Sequence, residues 1–397
     1  QNGRTVAQTR SDSSGNWSKD LSGLPDGDNT ITVRSIINTG SAYFTTFVGG
    51  TIKINQLRLT DNAINTAAGL PVSSSALLAG LMPSPVGDVY MAAGIFGDST
   101  VKPAKFQSGT PADPVTVSGN YPDDAGPNAG AFNESGTKYF SPNLGLTTVS
   151  VVDVATNNWE EDIQIPGNPV TAWRGPNGKV YITYTTNSQG VGLAILNPAD
   201  NTITKTISDT CGGNAGFSAT VSFSTDANYP YYFQPCMYPD TPGDLTKILK
   251  RNISDDQVVQ TMTVDFPATQ AISNLDNTKL YLVSSAAIGG NDPVANQIKV
   301  MNIASGTEDK VITATNGVVG VLQSPDFQHL YMSTPGSAFD QTGIDILDMF
   351  TDQIEHIATD DPAVTISAKS TSATLSNVNV AVVLGVKTTS SQLAKTG

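Results

Sequence analysis

The sequence has 397 residues, 39% of them hydrophobic and only 14% charged, and its formal net charge of −14 arises from 21 basic against 35 acidic side chains. A chain of this size can bury a full core and still carry an accessory domain, and its acidity disfavours nucleic acid or an anionic membrane surface as a partner. No apolar run reaches the roughly 18 residues of a membrane-crossing helix, so no direct membrane span is expected. With 36 glycines, 23 prolines and abundant Ser and Thr, and without any stretch that keeps a helical period, the expected fold class is all-β.

In chain order, residues 1–48 read as short strands separated by the turns SSGN and PDGDN. The stretch GNWSKDLSGLPDGDNTITVRS resembles the later half of a bacterial immunoglobulin-like repeat, in which a Trp strand leads through L-P-D-G into an alternating strand. The resemblance implies a partial immunoglobulin-like β-sandwich over 1–48 with strands missing upstream. Either the domain is a processed or truncated piece, or a neighbouring subunit supplies the missing strand, which would make the open edge an assembly site.

From residue 49 the chain repeats itself. The unit is clearest from Lys138 to Gly167: an aromatic strand with Tyr139 and Phe140, a polar loop, the alternating strand Val149–Asp153, an Ala-Thr-Asn-Asn turn and a strand ending at Ile165. Equivalent turns begin at Arg58, Lys105, Asp153, Asn197, Asn252, Asn302 and Asp348, 44 to 55 residues apart. Aromatic strands carry Tyr90, Tyr139, Tyr181, Tyr232, Tyr281 and Tyr331, with Val380 as a degenerate seventh member. Four short strands at this period are the signature of a β-propeller, here seven-bladed over 49–387. The two series are out of step, so one blade is split between the ends of the array. Residues 362–385 are expected to pair with 51–69, a closure that removes exposed sheet edges.

The units resemble the YVTN-type, lactonase-like seven-bladed propeller repeat: aromatic strand, loop, V-x-V-x-D, A-T-N turn and closing I-x-x-G, matched best at 139–167, with good partial matches at Val180–Ile207 and Leu280–Ile312. That resemblance speaks to fold far more than to activity.

In a four-stranded blade, the linker entering the blade and the loop between its second and third strands emerge on one rim. Cys211 lies in such a linker and Cys236 in such a loop, so a disulfide is expected in an oxidising compartment, worth about 3 kcal/mol for this loop length; two buried thiols are the alternative. Reaction chemistry is scarce. The two histidines, His329 before a strand and His356 on an outer strand, read as ordinary residues, too few for a zinc site. No catalytic residue is assigned and no cofactor is required.

The long second-to-third-strand loops carry Asp98, Asp240, Asp244, Asp292 and Asp340, and the linkers add Asp123, Asp124, Asp209, Asp360 and Asp361. Such oxygen-rich loops could hold Ca²⁺ or face a sugar or a cationic partner; equally, Asp is a turn former and a solubilising residue. Phe96, Tyr121, Tyr238 and Phe339 could stack on a ligand there. After Gly385 a flexible Thr/Ser-rich tail, 388–397, ends in Leu393-Ala394-Lys395-Thr396-Gly397. It resembles a sortase recognition pentapeptide with Ala in place of Pro, without the usual apolar segment beyond it. Asn16, Asn133 and Asn252 stand in N-x-S sequons.

Two function classes compete. One is a non-catalytic extracellular or cell-surface protein, wall-anchored if the tail is a sorting signal, that uses the propeller to bind, display or assemble. Its partners would be protein or carbohydrate or copies of itself, the latter as a filament joined through the incomplete sandwich. The other is a lactonase-like or lyase-like enzyme at the central tunnel, or a redox or cofactor-binding propeller.

Overall fold

The computed structural model describes residues 34–37, 41–48, 51–59, 61–71, 77–84, 88–94, 102–107, 115–122, 126–186, 190–208, 211, 220–224, 230–236, 246–284, 296–324, 327–334, 342–360, 363–368 and 374–377. Among them there is no helix. Seven antiparallel sheets form the blades of a propeller. From inner to outer strand, blade 1 is Ala363–Ala368, Ser41–Val48, Thr51–Arg58 and Ala63–Pro71; blade 2 is Leu77–Pro83, Asp88–Gly94, Ala104–Gln107 and Val115–Thr116. Blade 3 is Ala131–Phe132, Lys138–Leu144, Thr148–Asp153 and Asn158–Gln164, with Gly126–Pro127 added beside Lys138–Leu144. Blade 4 is Asn168–Arg174, Val180–Thr185, Val191–Asn197 and Thr202–Ile207; blade 5 is Ser222–Phe223, Tyr231–Cys236, Thr246–Asn252 and Val258–Val264. Blade 6 is Gln270–Ser273, Lys279–Val283, Gln297–Asn302 and Thr307–Thr313; blade 7 is Gly320–Gln323, His329–Thr334, Gly343–Asp348 and Gln353–Ala358.

The ring closes in blade 1, but not through the expected partners. Ala363–Ala368 pairs with Ser41–Val48, with Phe44 opposite Ile366, and Thr51–Arg58 comes one strand further out. The reason is local. Ser41–Val48 carries Tyr43 and Phe44, both 1% exposed, and Tyr43 stands two places before the turn marker in register, where Phe140 stands in blade 3. It is therefore the aromatic strand of blade 1, not the tail of a preceding domain. Residues 1–33, on which the immunoglobulin-like reading rests, lie outside the described residues, as do Val380 and the tail. Beyond the propeller, Arg34–Ile37 pairs with Thr374–Asn377 in a two-stranded sheet.

Burial follows position in the blade. Second and third strands are covered on both faces by neighbouring blades, so Val149–Val152 and Val191–Leu196 are buried without alternation. Outer strands alternate, as in Thr202–Ile207. The core is a set of wedges between blades: Val151 and Phe140 of blade 3 pack with Ile182 and Leu196 of blade 4, and Ile248 and Met262 of blade 5 with Leu280 and Met301 of blade 6. Among the described residues, six third-to-outer turns carry one left-handed residue each, Asn62, Asn157, Asn201, Asp256, Gly306 and Asp352, with φ between 56° and 70°. Asn, Asp and Gly are the residues that tolerate that region at least cost.

Candidate functional site

The turns just described define one rim of the ring, the turn side, and the inter-blade linkers define the other, the linker side. On the turn side, the left-handed residues of blades 3, 4, 5 and 7 bind the blade before them. Asn157 accepts a hydrogen bond from the Tyr90 hydroxyl at 3.0 Å and donates to the carbonyls of Val115 and Thr116. The Lys138 ammonium donates to Asn201 Oδ1 at 3.3 Å, and Asn201 Nδ2 donates to Glu161 at 2.6 Å. Lys205 donates to Asp256 at 3.0 Å. Asp352 gathers the most: Lys279 at 2.6 Å and Lys310 at 2.5 Å on one oxygen, and the Tyr281 hydroxyl at 2.5 Å on the other. Burial pushes the Asp352 carboxyl up, but these three donors outweigh it and hold its pKa below the ordinary value. The Tyr281 hydroxyl is pushed far upward, first by burial and then by its bond to that carboxylate. Burial likewise raises Tyr181 to about 12. At Gly306, which offers no side chain, Gln260 reaches across instead to the Ile303 carbonyl at 3.0 Å.

On the linker side, each anchored linker meets the residue three places before the turn marker of the blade it enters, and the chemistry differs every time. In blade 3 that residue is Ser150: Tyr121 donates to Asn143 at 2.8 Å, Asn143 to Ser150 at 2.8 Å, and Ser150 to Asp162 at 2.6 Å. Tyr121, expected on a ligand-facing rim, is thus 2% exposed and part of the packing. In blade 5 the residue is Leu249, against which the Cys211–Cys236 disulfide packs, its Cα atoms 5.6 Å apart. In blade 6 it is Lys299, whose ammonium lies 5.8 Å from the centre of the Phe266 ring. In blade 7 it is Asp345, wholly buried, which accepts from the Thr315 backbone N–H at 2.6 Å and lies 2.6 Å from His356 Nδ1.

That last pair is a histidine oriented by a carboxylate, which sequence reading did not find. The structure brings the two together because His356 stands opposite Asp345 in the register of blade 7. The pair sits between third and outer strands, away from the axis, and the imidazole covers Gly343, where a Cβ would come within 2.7 Å of the ring. His329 is the first residue of its strand.

The inner strands line the axis. Read along their lengths they are LLAGLMP, AF, NPVTAWR, SF, QAIS, GVLQ and AVTISA. Arg174, exposed at a strand end, is the one ionisable side chain among them. No group of three or more His, Cys, Asp or Glu side chains converges among the described residues.

Of the expected rim residues, Asp360 is described and exposed in the linker from blade 7 to blade 1. Asp98, Asp123, Asp124, Asp209, Asp240, Asp244, Asp292, Asp340 and Asp361 lie outside the described residues, as do Phe96, Tyr238, Phe339, Asn16 and Leu393–Gly397. Of the sequons, Asn133 donates to Thr137 at 2.9 Å and accepts from the Lys138 N–H, while Asn252 accepts from Ser254 within its turn.

No protein-family model and no curated protein matches the sequence. Among solved structures, a Bacteroides fragilis protein provisionally assigned as a 6-phosphogluconolactonase is similar at a TM-score of 0.60 and 14% identity, over 83% of this chain and 97% of that one. A protein of Lactobacillus plantarum is similar at 0.58 and 14% identity, over 83% and 99%. Hydrazine synthase of Kuenenia stuttgartiensis is similar at 0.51 and 14% identity, over 68% and 76%. At such identities the likeness is one of fold.

Proposed function

We propose that the protein is a non-catalytic extracellular or cell-surface module whose propeller presents its linker-side loops to a protein or carbohydrate partner. The observation that carries this reading is the wall of the axis: a tunnel enzyme needs an acid or base in reach of substrate, and among the described residues the inner strands offer Arg174 alone. Among the described residues the buried carboxylates, Asp256, Asp345 and Asp352, each bind a neighbouring segment of the fold. The disulfide favours an oxidising compartment. Binding would then fall to the loop residues Asp98, Asp240, Asp244, Asp292 and Asp340, with Ca²⁺ as a supporting ion, and assembly with copies of the same chain to residues 1–33.

The test is binding of purified cell-wall glycans and of the protein to itself, with and without Ca²⁺. Replacing Asp240, Asp244, Asp292 and Asp340 together by Asn should weaken binding about tenfold or more and leave the melting temperature unchanged. Equal binding by the variant would overturn the reading.

A lactonase-like activity is the second reading, favoured by the His356–Asp345 pair, which has the make-up of an oriented general base. It requires saturable hydrolysis of sugar lactones that His356→Gln abolishes. Hydrolysis at the same rate in that variant, or none above the uncatalysed reaction, leaves the pair with its packing role.

A further inference from the structure

The junction between blades 7 and 1 departs from the pattern of the turn side. Register identifies the equivalent positions. In blade 4, Tyr181 stands opposite Ile195 and Ile195 opposite Lys205; in blade 6, Tyr281 opposite Val300 and Val300 opposite Lys310. In both, the lysine extends to the left-handed aspartate of the next blade. In blade 7 the same ladder runs from Tyr331 to Ile346 to Glu355, so a carboxylate stands where the ammonium is expected. Lys279, the second ammonium on Asp352, is replaced by His329, and the receiving residue in blade 1 is Asn62.

The consequence is a cavity of about 350 Å³ at this junction, within the size range of small-ligand sites. Its walls include Leu59, Tyr331 and Ile346, its polar end Asn62, Asp348 and Glu355. Asn62 Oδ1 is buried there with no hydrogen-bond partner among the described residues, an acceptor that a bound donor would satisfy. In blade 4 the matching oxygen, Asn201 Oδ1, receives the Lys138 ammonium.

We propose that this cleft binds an alkylammonium group, which takes the place of the lysine that the chain itself supplies at Asn201, Asp256 and Asp352. The apolar walls suit the alkyl stem, and the carboxylates with Asn62 Oδ1 suit the three N–H donors of the head. The same chemistry describes a free amine and a lysine side chain on another molecule. The site is on the turn side and independent of the loop face discussed above.

Butylammonium, butanol and the peptide Gly-Lys-Gly, each titrated by ligand-observed NMR at constant ionic strength, test the assignment. Butylammonium is expected to bind saturably and butanol not to. Glu355→Gln, a change at an exposed side chain, should weaken binding about tenfold; Asn62→Asp, which recreates the aspartate found at 256 and 352, should strengthen it. His329→Lys should abolish it by filling the cleft from within and should raise the melting temperature. Tighter binding of Gly-Lys-Gly than of butylammonium points to a lysine as the natural occupant, and weaker binding to a free amine. Equal binding of butylammonium and butanol, no saturable binding of butylammonium, or an unchanged affinity in Glu355→Gln overturns the proposal.

Discussion

The two rims of the ring solve one problem, fastening blade to blade, in opposite ways. On the turn side a single device recurs at four junctions: a left-handed Asn or Asp four residues beyond the turn marker, at 157, 201, 256 and 352, reached by a lysine, tyrosine or glutamate of the preceding blade. On the linker side each junction has its own chemistry: a hydroxyl chain at Tyr121, a disulfide at Cys211, an aromatic ring at Phe266, a carboxylate at Asp345. Repetition on one face and divergence on the other indicate where the sequence is free to change. Turn geometry fixes the first, whereas the linkers only have to reach the next sheet.

The comparison can be broken at either face. The largest loss is expected on the linker side. Replacing Cys211 and Cys236 together by Ser opens a loop spanning 25 residues and should lower unfolding free energy by about 3 kcal/mol in denaturant titrations. Next comes the turn side at its most heavily used residue. Asp352→Asn keeps a side chain suited to φ 58° but leaves Lys279 and Lys310 without their carboxylate. The lysines are partly exposed, so solvent screening holds the expected cost to about 2 kcal/mol. The effect must depend on pH. Because the folded pKa of Asp352 is depressed, its contribution is full above the unfolded value of about 3.9 and disappears as pH falls through the folded value. Wild type and variant should therefore converge in stability in acid. The smallest effect is expected at Gly306. Asn stands in the same left-handed place at 157 and 201, but a Cβ would sit 3.1 Å from Met262 Cγ. Gly306→Asn should shift stability by under about 1 kcal/mol, and a loss of several would show that this turn does not share the common geometry.

How far the sequence could be read depended on the same contrast. The period of 44 to 55 residues gave the blade count because every blade needs one tight turn and one aromatic strand, and both leave residues at fixed offsets. The strand at Tyr43 escaped because it lacks the polar lead-in of Lys138 or Lys279 and follows directly on a stretch that resembles another domain. Yet Tyr43 precedes its marker Arg58 by the same fifteen residues that separate Tyr90 from Lys105. The disulfide was legible because topology puts both cysteines on one rim. The Asp345–His356 pair was not: neighbours across a ladder are eleven residues apart in the chain, and nothing in composition marks them. Tyr121 misled for a related reason, since a tyrosine in a linker looks alike whether it faces solvent or a buried asparagine.

The way blade 1 is assembled bears on synthesis. More than three hundred residues separate Val48 from Ala363, so during translation the three earlier strands of that sheet wait, with the Ser41–Val48 edge uncovered, until six more blades have left the ribosome. Joining ends so distant in an unordered chain carries an entropic penalty of about 5 kcal/mol by loop-length scaling, whereas blades already stacked bring the final strand to its place. Ring closure therefore acts as a proofreading step: a nascent molecule with a misfolded blade cannot present Ala363–Ala368 in register, and its open edge is left to chaperones or to other chains.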